Sequence, residues 1–372
     1  MKTFVIFILL FFAVRAALSF VQFLLRKKKM KPAVRGLLIA AKALIAVAAA
    51  ALPMAGPVQL RPVQPLMMAL YVVLFADAAA DLIYAVVLAV SKKKRSFGVF
   101  QAVSVCCCVL FFVYGFFNMQ IVQPHTYSFA SEKLTEAHKI VFAADVHVGS
   151  AQLFSTTEKT VETIKAEQPD CVILGGDIFD DYTTKEEMER TFALFRDFGC
   201  PVYFIYGNHD LQGHAEYAIG HQYTQDEFEQ TMQNNGIILL MDEFVTLAPD
   251  VLVLGRNDIS AGADRADAAS LVNPNPDAYL ILADHQPTDF IKQRETISMD
   301  LQLSGHTHAG QLFPLNLLYE VIGYVYGEYV ERDTAMIVSA GACGWREPLR
   351  TAAHCNYEVI NLCPLLSRED NI

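Results

Sequence analysis

The sequence predicts an α/β domain carried behind an all-α region of four transmembrane helices. Three observations predict it. The first 120 residues contain four apolar runs, at 4–25, 36–54, 66–90 and 97–119, each near the roughly 20 residues that cross a hydrocarbon layer. Charge divides at the same place: residues 1–120 hold fourteen lysines and arginines against only Asp77 and Asp81, a net +12, whereas the remainder holds fifteen against thirty-eight acids, a net −23. From residue 138 onward, short β-type runs alternate with capped helical stretches, the pattern of an α/β sheet.

The positive cluster Arg26-Lys27-Lys28-Lys29 follows the first run instead of preceding it. That run therefore reads as an uncleaved span and not as a signal peptide. Residues 26–35 and 92–95 are dense in lysine and arginine, while 55–65 carry only Arg61. Positive loops stay cytoplasmic, so both termini and the acidic domain are expected outside, on a multi-pass anchor in the cell membrane. Arg15, Lys42, Asp77 and Asp81 lie inside the spans. Asp77 and Asp81, four apart, share a helix face. A lone charge in lipid costs about 2.5–3.5 kcal/mol, so these four should pair within the bundle; transport or sensing is the alternative reading.

The acidic balance of the domain disfavours nucleic acid or an anionic lipid surface as a nonspecific partner, and nothing in the sequence points to a protein partner. Eight cysteines show no Cys-x-x-Cys spacing and no disulfide framework. Whether Cys343 and Cys355 pair is left open.

Residues 121–137 read as a polar connector. The run 140–144 is a buried strand ending in Asp145-Val146-His147, whose two functional side chains point the same way if the chain stays extended. Ser155-Thr156-Thr157-Glu158 reads as a capping box opening a helix to about Glu167. A strand at 171–174 ends in Gly175-Gly176-Asp177-Ile178-Phe179-Asp180, and a helix at 184–198 stops at Gly199. The strand 201–205 ends in Gly207-Asn208-His209-Asp210, and a second box at Thr224-Gln225-Asp226-Glu227 opens a helix ending near Gly236. Runs at 237–240, 244–247 and 251–254 suggest strands of a second sheet. The strand 279–283 ends in Asp284-His285. The run 299–303 leads into Gly305-His306-Thr307-His308, and 335–340 and 357–362 close the domain.

Asp145, His147, Asp177, Asn208, His209, His285, His306 and His308 thus all sit at or just after strand ends, where an α/β sheet opens a crevice. Oxygen and imidazole donors without thiolate suit Mn, Fe or Zn. Of the remaining histidines, His125, His138, His214, His221 and His354 read as surface or packing residues, with His214 and His221 also placed for substrate contact. Arg346 and Arg350 could clamp a phosphate or serve structure alone, and Trp345 could pack beside them or stack on a ligand.

Five ordered blocks, Asp145-Val146-His147, Gly176 to Asp180, Gly207 to Asp210, Asp284-His285 and Gly305 to His308, resemble the calcineurin-like metallophosphoesterases. The resemblance covers residues 138–362. His308-Ala309-Gly310-Gln311-Leu312-Phe313-Pro314 and Gly341-Ala342-Cys343-Gly344-Trp345 look like the membrane-anchored branch, which includes transmembrane proteins with a metallophosphoesterase domain. It implies a four-layer α/β/β/α sandwich over residues 138–372 holding two divalent ions. By position, Asp145, His147, Asp177 and His308 would bind one ion. Asp177, Asn208, His285 and His306 would bind the other, with Asp177 shared. The implied activity is hydrolysis of a phosphomonoester or phosphodiester, on a small or lipid-linked substrate, by a metal-bridging hydroxide. His209 would protonate the leaving oxygen, Asp210 would orient His209, and Asp180 would support a ligand. The rival is a catalytically idle metal-binding receptor or interaction domain on the same anchor.

Overall fold

The computed structural model describes residues 2–25, 31–55, 64–91, 97–260, 265–345 and 348–365. The chain divides into two units, residues 1–117 and 118–372. The N-terminal helices are α1 (Lys2–Leu25), α2 (Pro32–Ala55), α3 (Gln64–Ser91) and α4 (Phe97–Met119). Within them Leu66–Val87 and Val99–Met119 are long and apolar enough to cross a membrane.

This first unit buries a polar cluster among apolar side chains and leaves large apolar ones exposed, unlike a water-soluble bundle. Asp77 and Ser104 are fully buried and Arg15 nearly so, while Phe12, Leu37, Leu44 and Val90 are exposed. Asp77 accepts from Gln22 at 2.6 Å, Lys42 at 2.5 Å and Ser104, and pairs with Arg15 at 3.5 Å, so one carboxylate ties α3 to the other three helices. Lys42 also reaches Asp81 at 2.5 Å. The four ionisable side chains therefore pair, as their cost in an apolar surround requires. The basic clusters at 26–29 and 92–95, and Arg61, lie outside the described residues.

The second unit carries two mixed six-stranded sheets. The first has the order β1 (Val122–Ser131), β12 (Cys355–Pro364), β2 (His138–Ala143), β3 (Cys171–Leu174), β4 (Val202–Phe204), β5 (Ile237–Leu239). The second runs β10 (Gly327–Glu331), β11 (Thr334–Val338), β9 (Leu301–Ser304), β8 (Tyr279–Ala283), β7 (Val251–Gly255), β6 (Glu243–Ala248). Strands β2 to β5 are mutually parallel, as are β7, β8, β9 and β11.

Period-two alternation builds the layers. Ile140, Phe142, Ile173 and Tyr203 of the first sheet meet Val251, Val253, Ile281, Leu301 and Leu303 of the second in one apolar core. Val141, Val172 and Phe204 point the other way, onto helices α5 (Phe154–Ala166), α6 (Lys185–Ala193) and α7 (Gln225–Asn234). Leu252, Leu280 and Met336 pack with Phe290 of helix α8 (Phe290–Thr296).

Several elements depart from expectation. The stretch expected to be a connector is strand β1, paired in parallel with β12. Pro124 lies within it, which an edge strand tolerates because a missing N–H need not face a neighbour. The run 237–240 joins the first sheet beside β4, not the second. Helix α5 begins at Phe154 with no side-chain cap. Thr156 donates its hydroxyl to Gln120 instead, at 3.1 Å. Both other expected capping boxes are present, at Thr184 with Glu187 and at Thr224 with Glu227. α6 ends at Ala193, short of the expected 198. Strand β10, helix α8 and helix α9 (Leu315–Ile322) were not read from the sequence.

Candidate metal centre

The ligand-type side chains leave the sheets together because β2, β3, β4, β8 and β9 are parallel within their sheets and end at one edge. Asp145, His147, Asp177, His306 and His308 all have positive φ, between 44° and 72°. The chain after β2 is therefore not extended, and Asp145 and His147 converge through a left-handed turn. Such a conformation costs about 1–2 kcal/mol per non-glycine residue, so five of them at one edge mark a place where geometry is maintained against local preference.

Two glycines make room for the carboxylates. A Cβ on Gly207 would sit 2.3 Å from Asp177 Oδ1, and one on Gly341, whose φ is +81°, would sit 2.6 Å from Asp145 Cβ.

Two groups result: Asp145, His147 and His308, and Asp177, His285 and His306, each with its ligand atoms within 4.8 Å of one another. His147 Nε2 stands 3.7 Å from Asp177 Oδ2, which places Asp177 between the groups. Three imidazoles are held by Nδ1. His147 bonds Asp180 at 2.9 Å, His285 the Gly175 carbonyl at 2.9 Å and His308 the Cys343 carbonyl at 3.2 Å. A carbonyl only accepts, so His285 and His308 each carry a proton on Nδ1 and turn Nε2 toward the carboxylates Asp177 and Asp145.

The Nε2 atoms of His147 and His308 then face each other at 3.2 Å. His285 Nε2 lies 3.1 Å from Asp177 Oδ2 yet makes no hydrogen bond, and buried Asn208 Oδ1 has no partner. Carboxylate oxygens, an amide oxygen and imidazole nitrogens converging at one edge are a donor set that fits a pair of divalent cations. His306 completes the edge, its backbone N–H donating to both oxygens of Asp145 at 3.1 and 3.0 Å.

Burial and the neighbouring His285 hold His306 down at about 4, and burial with His147 holds His308 well below the usual imidazole range, so both are neutral, as ligands must be. Burial works against Asp177, but His285 and His209 prevail and keep its carboxyl well below the usual range.

His209 does not meet Asp210. Asp210 accepts from the backbone N–H groups of Asp177, Phe179 and Gly207 at 2.9, 3.0 and 2.7 Å, and so braces two ligand turns. The expectation that it orients His209 is corrected: Asp181 does, at 2.9 Å from His209 Nδ1, while its other oxygen accepts from His214 N at 2.9 Å. Nothing in the pattern separated Asp181 from Asp180; only the turn that sends successive side chains to opposite sides does so. Burial lowers the His209 pKa, but Asp177 and Asp181 outweigh it and raise it to about 9.

Asp180 stands behind His147 as expected. Arg350 is fully buried and donates to the carbonyls of Cys343, His308, Ala340 and Ala353, at 2.7, 3.1, 2.6 and 2.8 Å. It is a strut for the His308 loop and not a phosphate clamp. Arg346 lies outside the described residues. The rings of Trp345 and His214 lie 5.8 and 6.0 Å from that of His209. His221 is exposed, His138 pairs with Asp250, His354 bonds Asn118, and His125 lies against Tyr127 and Tyr326. Cys343 and Cys355 are both free thiols.

Residues 138–310 match the calcineurin-like phosphoesterase family. An uncharacterized metallophosphoesterase of Helicobacter pylori is 30% identical over 243 residues, spanning 63% of this chain and 62% of that protein. A transmembrane protein with metallophosphoesterase domain from Danio rerio is 28% identical over 255 residues, spanning 62% of this chain and 54% of that one. Among solved structures, a dimetal phosphatase from Danio rerio aligns at 10% identity with a TM-score of 0.37, over 55% of this chain and 88% of the other.

Proposed function

We propose, from the premise that this chain belongs to the calcineurin-like metallophosphoesterase family, that it is a membrane-anchored two-metal hydrolase of phosphoester bonds. One observation carries the reading: two groups of carboxylate and imidazole ligands, nearly all buried, stand side by side with Asp177 between them. Two divalent ions, of Mn, Fe or Zn, held by Asp145, His147, Asp177 and His308 and by Asp177, Asn208, His285 and His306, would supply an activated water and neutralise phosphoryl charge.

The chain's own residues do the rest. Asp180, Gly175 and Cys343 fix the ring orientations of His147, His285 and His308 through Nδ1. His209, protonated near neutral pH and held by Asp181, is placed to give a proton from Nε2 to the leaving oxygen. Asp210 and Gly207 keep the Asp177 turn from shifting. The exposed apolar surface of α1 to α4 and the ion-pair cluster buried among them support a membrane anchor. The basic clusters after the first and third spans favour a domain outside the cytoplasm.

The test is hydrolysis of bis(p-nitrophenyl) phosphate and p-nitrophenyl phosphate by the full chain with Mn²⁺. Activity should vanish on chelation, return with metal, and be lost in Asp177→Asn. Two metal ions bound per chain with no turnover of any phosphoester would favour the idle domain. A reporter fused after Ile372 should be active only outside the cytoplasm; activity inside would overturn the orientation.

A further inference from the structure

The residues through which the chain joins the second unit lie against the metal edge of that unit. Met119, the last residue of apolar α4, accepts from Gln152 Nε2 at 2.7 Å and from Cys355 Sγ at 3.5 Å, and its sulfur lies 3.9 Å from Cys343 Sγ. Cys343 in turn donates its N–H to the Asp145 carbonyl at 2.8 Å and accepts from His308 Nδ1 at 3.2 Å. One residue thus separates Met119, where the chain enters this unit, from two metal ligands. Sheet order says the same. β12 is antiparallel to β2 and β1 parallel to β12, so Val122 begins at the edge where β2 ends.

Exposed apolar side chains lie on segments tied to this point or running on from it. Ile121 is in the joining segment itself. Leu153, 58% exposed, has its N–H on Gln120 at 3.1 Å. Phe313, Leu317 and Val321, the last 84% exposed, belong to α9 and the turn before it, directly after His308. That turn is tied back by Phe313 N–H to Thr351 Oγ1 at 2.9 Å, and Asn118 holds the adjoining Arg350 carbonyl at 3.1 Å. A water-facing mouth has no use for such a rim. An interface with lipid does, and the three peptide steps from Met119 to Val122 span no more than about 10 Å.

We propose that the metal edge works at the bilayer surface, with α9 and Leu153 seated in it, and that the substrate is an amphiphile whose phosphoester lies at the membrane–water boundary. The proposal rests on the hydrolase reading above and names its substrate class. The seat is apolar and the domain acidic, so contact is hydrophobic in origin and needs neither anionic lipid nor low salt.

The experiment uses the full chain in neutral phosphatidylcholine vesicles with Mn²⁺ and two matched pairs. Hexadecyl p-nitrophenyl phosphate is set against methyl p-nitrophenyl phosphate, and dioleoyl phosphatidic acid against glycerol 3-phosphate. The lipid member of at least one pair should be hydrolysed at least tenfold faster at equal bulk concentration, with little change between about 0.05 and 0.5 M salt, a range over which the Debye length shortens roughly threefold. Leu317→Asp with Val321→Asp should cut the lipid rate at least tenfold and leave bis(p-nitrophenyl) phosphate turnover unchanged; Leu153→Glu, on a different element, should do the same. Equal rates within both pairs, or variants that turn over lipid and soluble esters in the original ratio, would overturn the proposal while leaving the hydrolase reading intact. No turnover of any ester would overturn both.

Discussion

Asp181→Asn tests the assignment of His209 and the residue that orients it. Asp181 satisfies two donors at once, His209 Nδ1 and the His214 N–H, both at 2.9 Å. A carboxylate accepts from both; an amide has one acceptor and one donor, so only one bond survives. If the amide oxygen stays on His214, its NH₂ faces His209 and forces the neutral tautomer. If it turns, an N–H opposes the His214 N–H. The side chains of both partners are more than nine-tenths buried, where a charge-assisted hydrogen bond contributes roughly 1.5–3 kcal/mol. At about 1.4 kcal/mol per tenfold, kcat should fall roughly 10- to 150-fold. KM and the number of metals bound should not change, since Asp181 touches neither metal group. The loss should be larger for an alkyl leaving group, which needs the proton, than for p-nitrophenolate, which leaves without it. Asp181 also raises the pKa of His209, so the limb of the pH profile on which activity is lost by deprotonation should move to lower pH. An unchanged kcat for alkyl esters, or a fall that is the same for both leaving groups, would refute proton delivery by this pair.

Further outcomes follow from the same geometry. Gly341→Ala adds about 1–2 kcal/mol of left-handed strain and pushes a Cβ to 2.6 Å from that of Asp145; metal affinity should drop about 10- to 100-fold in calorimetry, and Gly199→Ala, where the added Cβ meets nothing, should cost strain but no metal. Asp77→Asn strips the counter-charge from Arg15 and leaves Lys42 only Asp81; membrane-integrated protein should fall, with an upper bound of about 2.5–3.5 kcal/mol for the one unpaired charge, and unchanged expression would remove the pairing argument. Asp250 is held at about 2, burial opposing and the Thr135 N–H, its hydroxyl and His138 prevailing. A depressed carboxyl stabilises above its unfolded value and loses that contribution as pH falls through the folded one. The difference in melting temperature between the native chain and Asp250→Asn should therefore be full above about pH 4, corresponding to about 1–2 kcal/mol after screening, and vanish near pH 2.

What could be read from the chain alone was set by local rules. Apolar length marked the helices, alternation and capping residues marked most strands and helices of the domain, and the coincidence of hard ligands with strand ends marked Asp145, His147, Asp177, Asn208, His285, His306 and His308. These signals survive because neighbouring residues generate them. Pairing is different. That β1 would add to β12 from a stretch rich in polar residues, or that β5 would complete the first sheet, depends on partners more than two hundred and thirty residues away in one case and some thirty in the other. The choice of Asp181 over Asp210 as the partner of His209 turns on which of three nearby carboxylates a left-handed turn at Asp177 directs inward. Arg350 could be a clamp in sequence, but burial and four carbonyls make it a strut. Composition and periodicity determined which chemistry the chain can host; long-range strand order and turn handedness, which no local pattern encodes, decided which side chains meet.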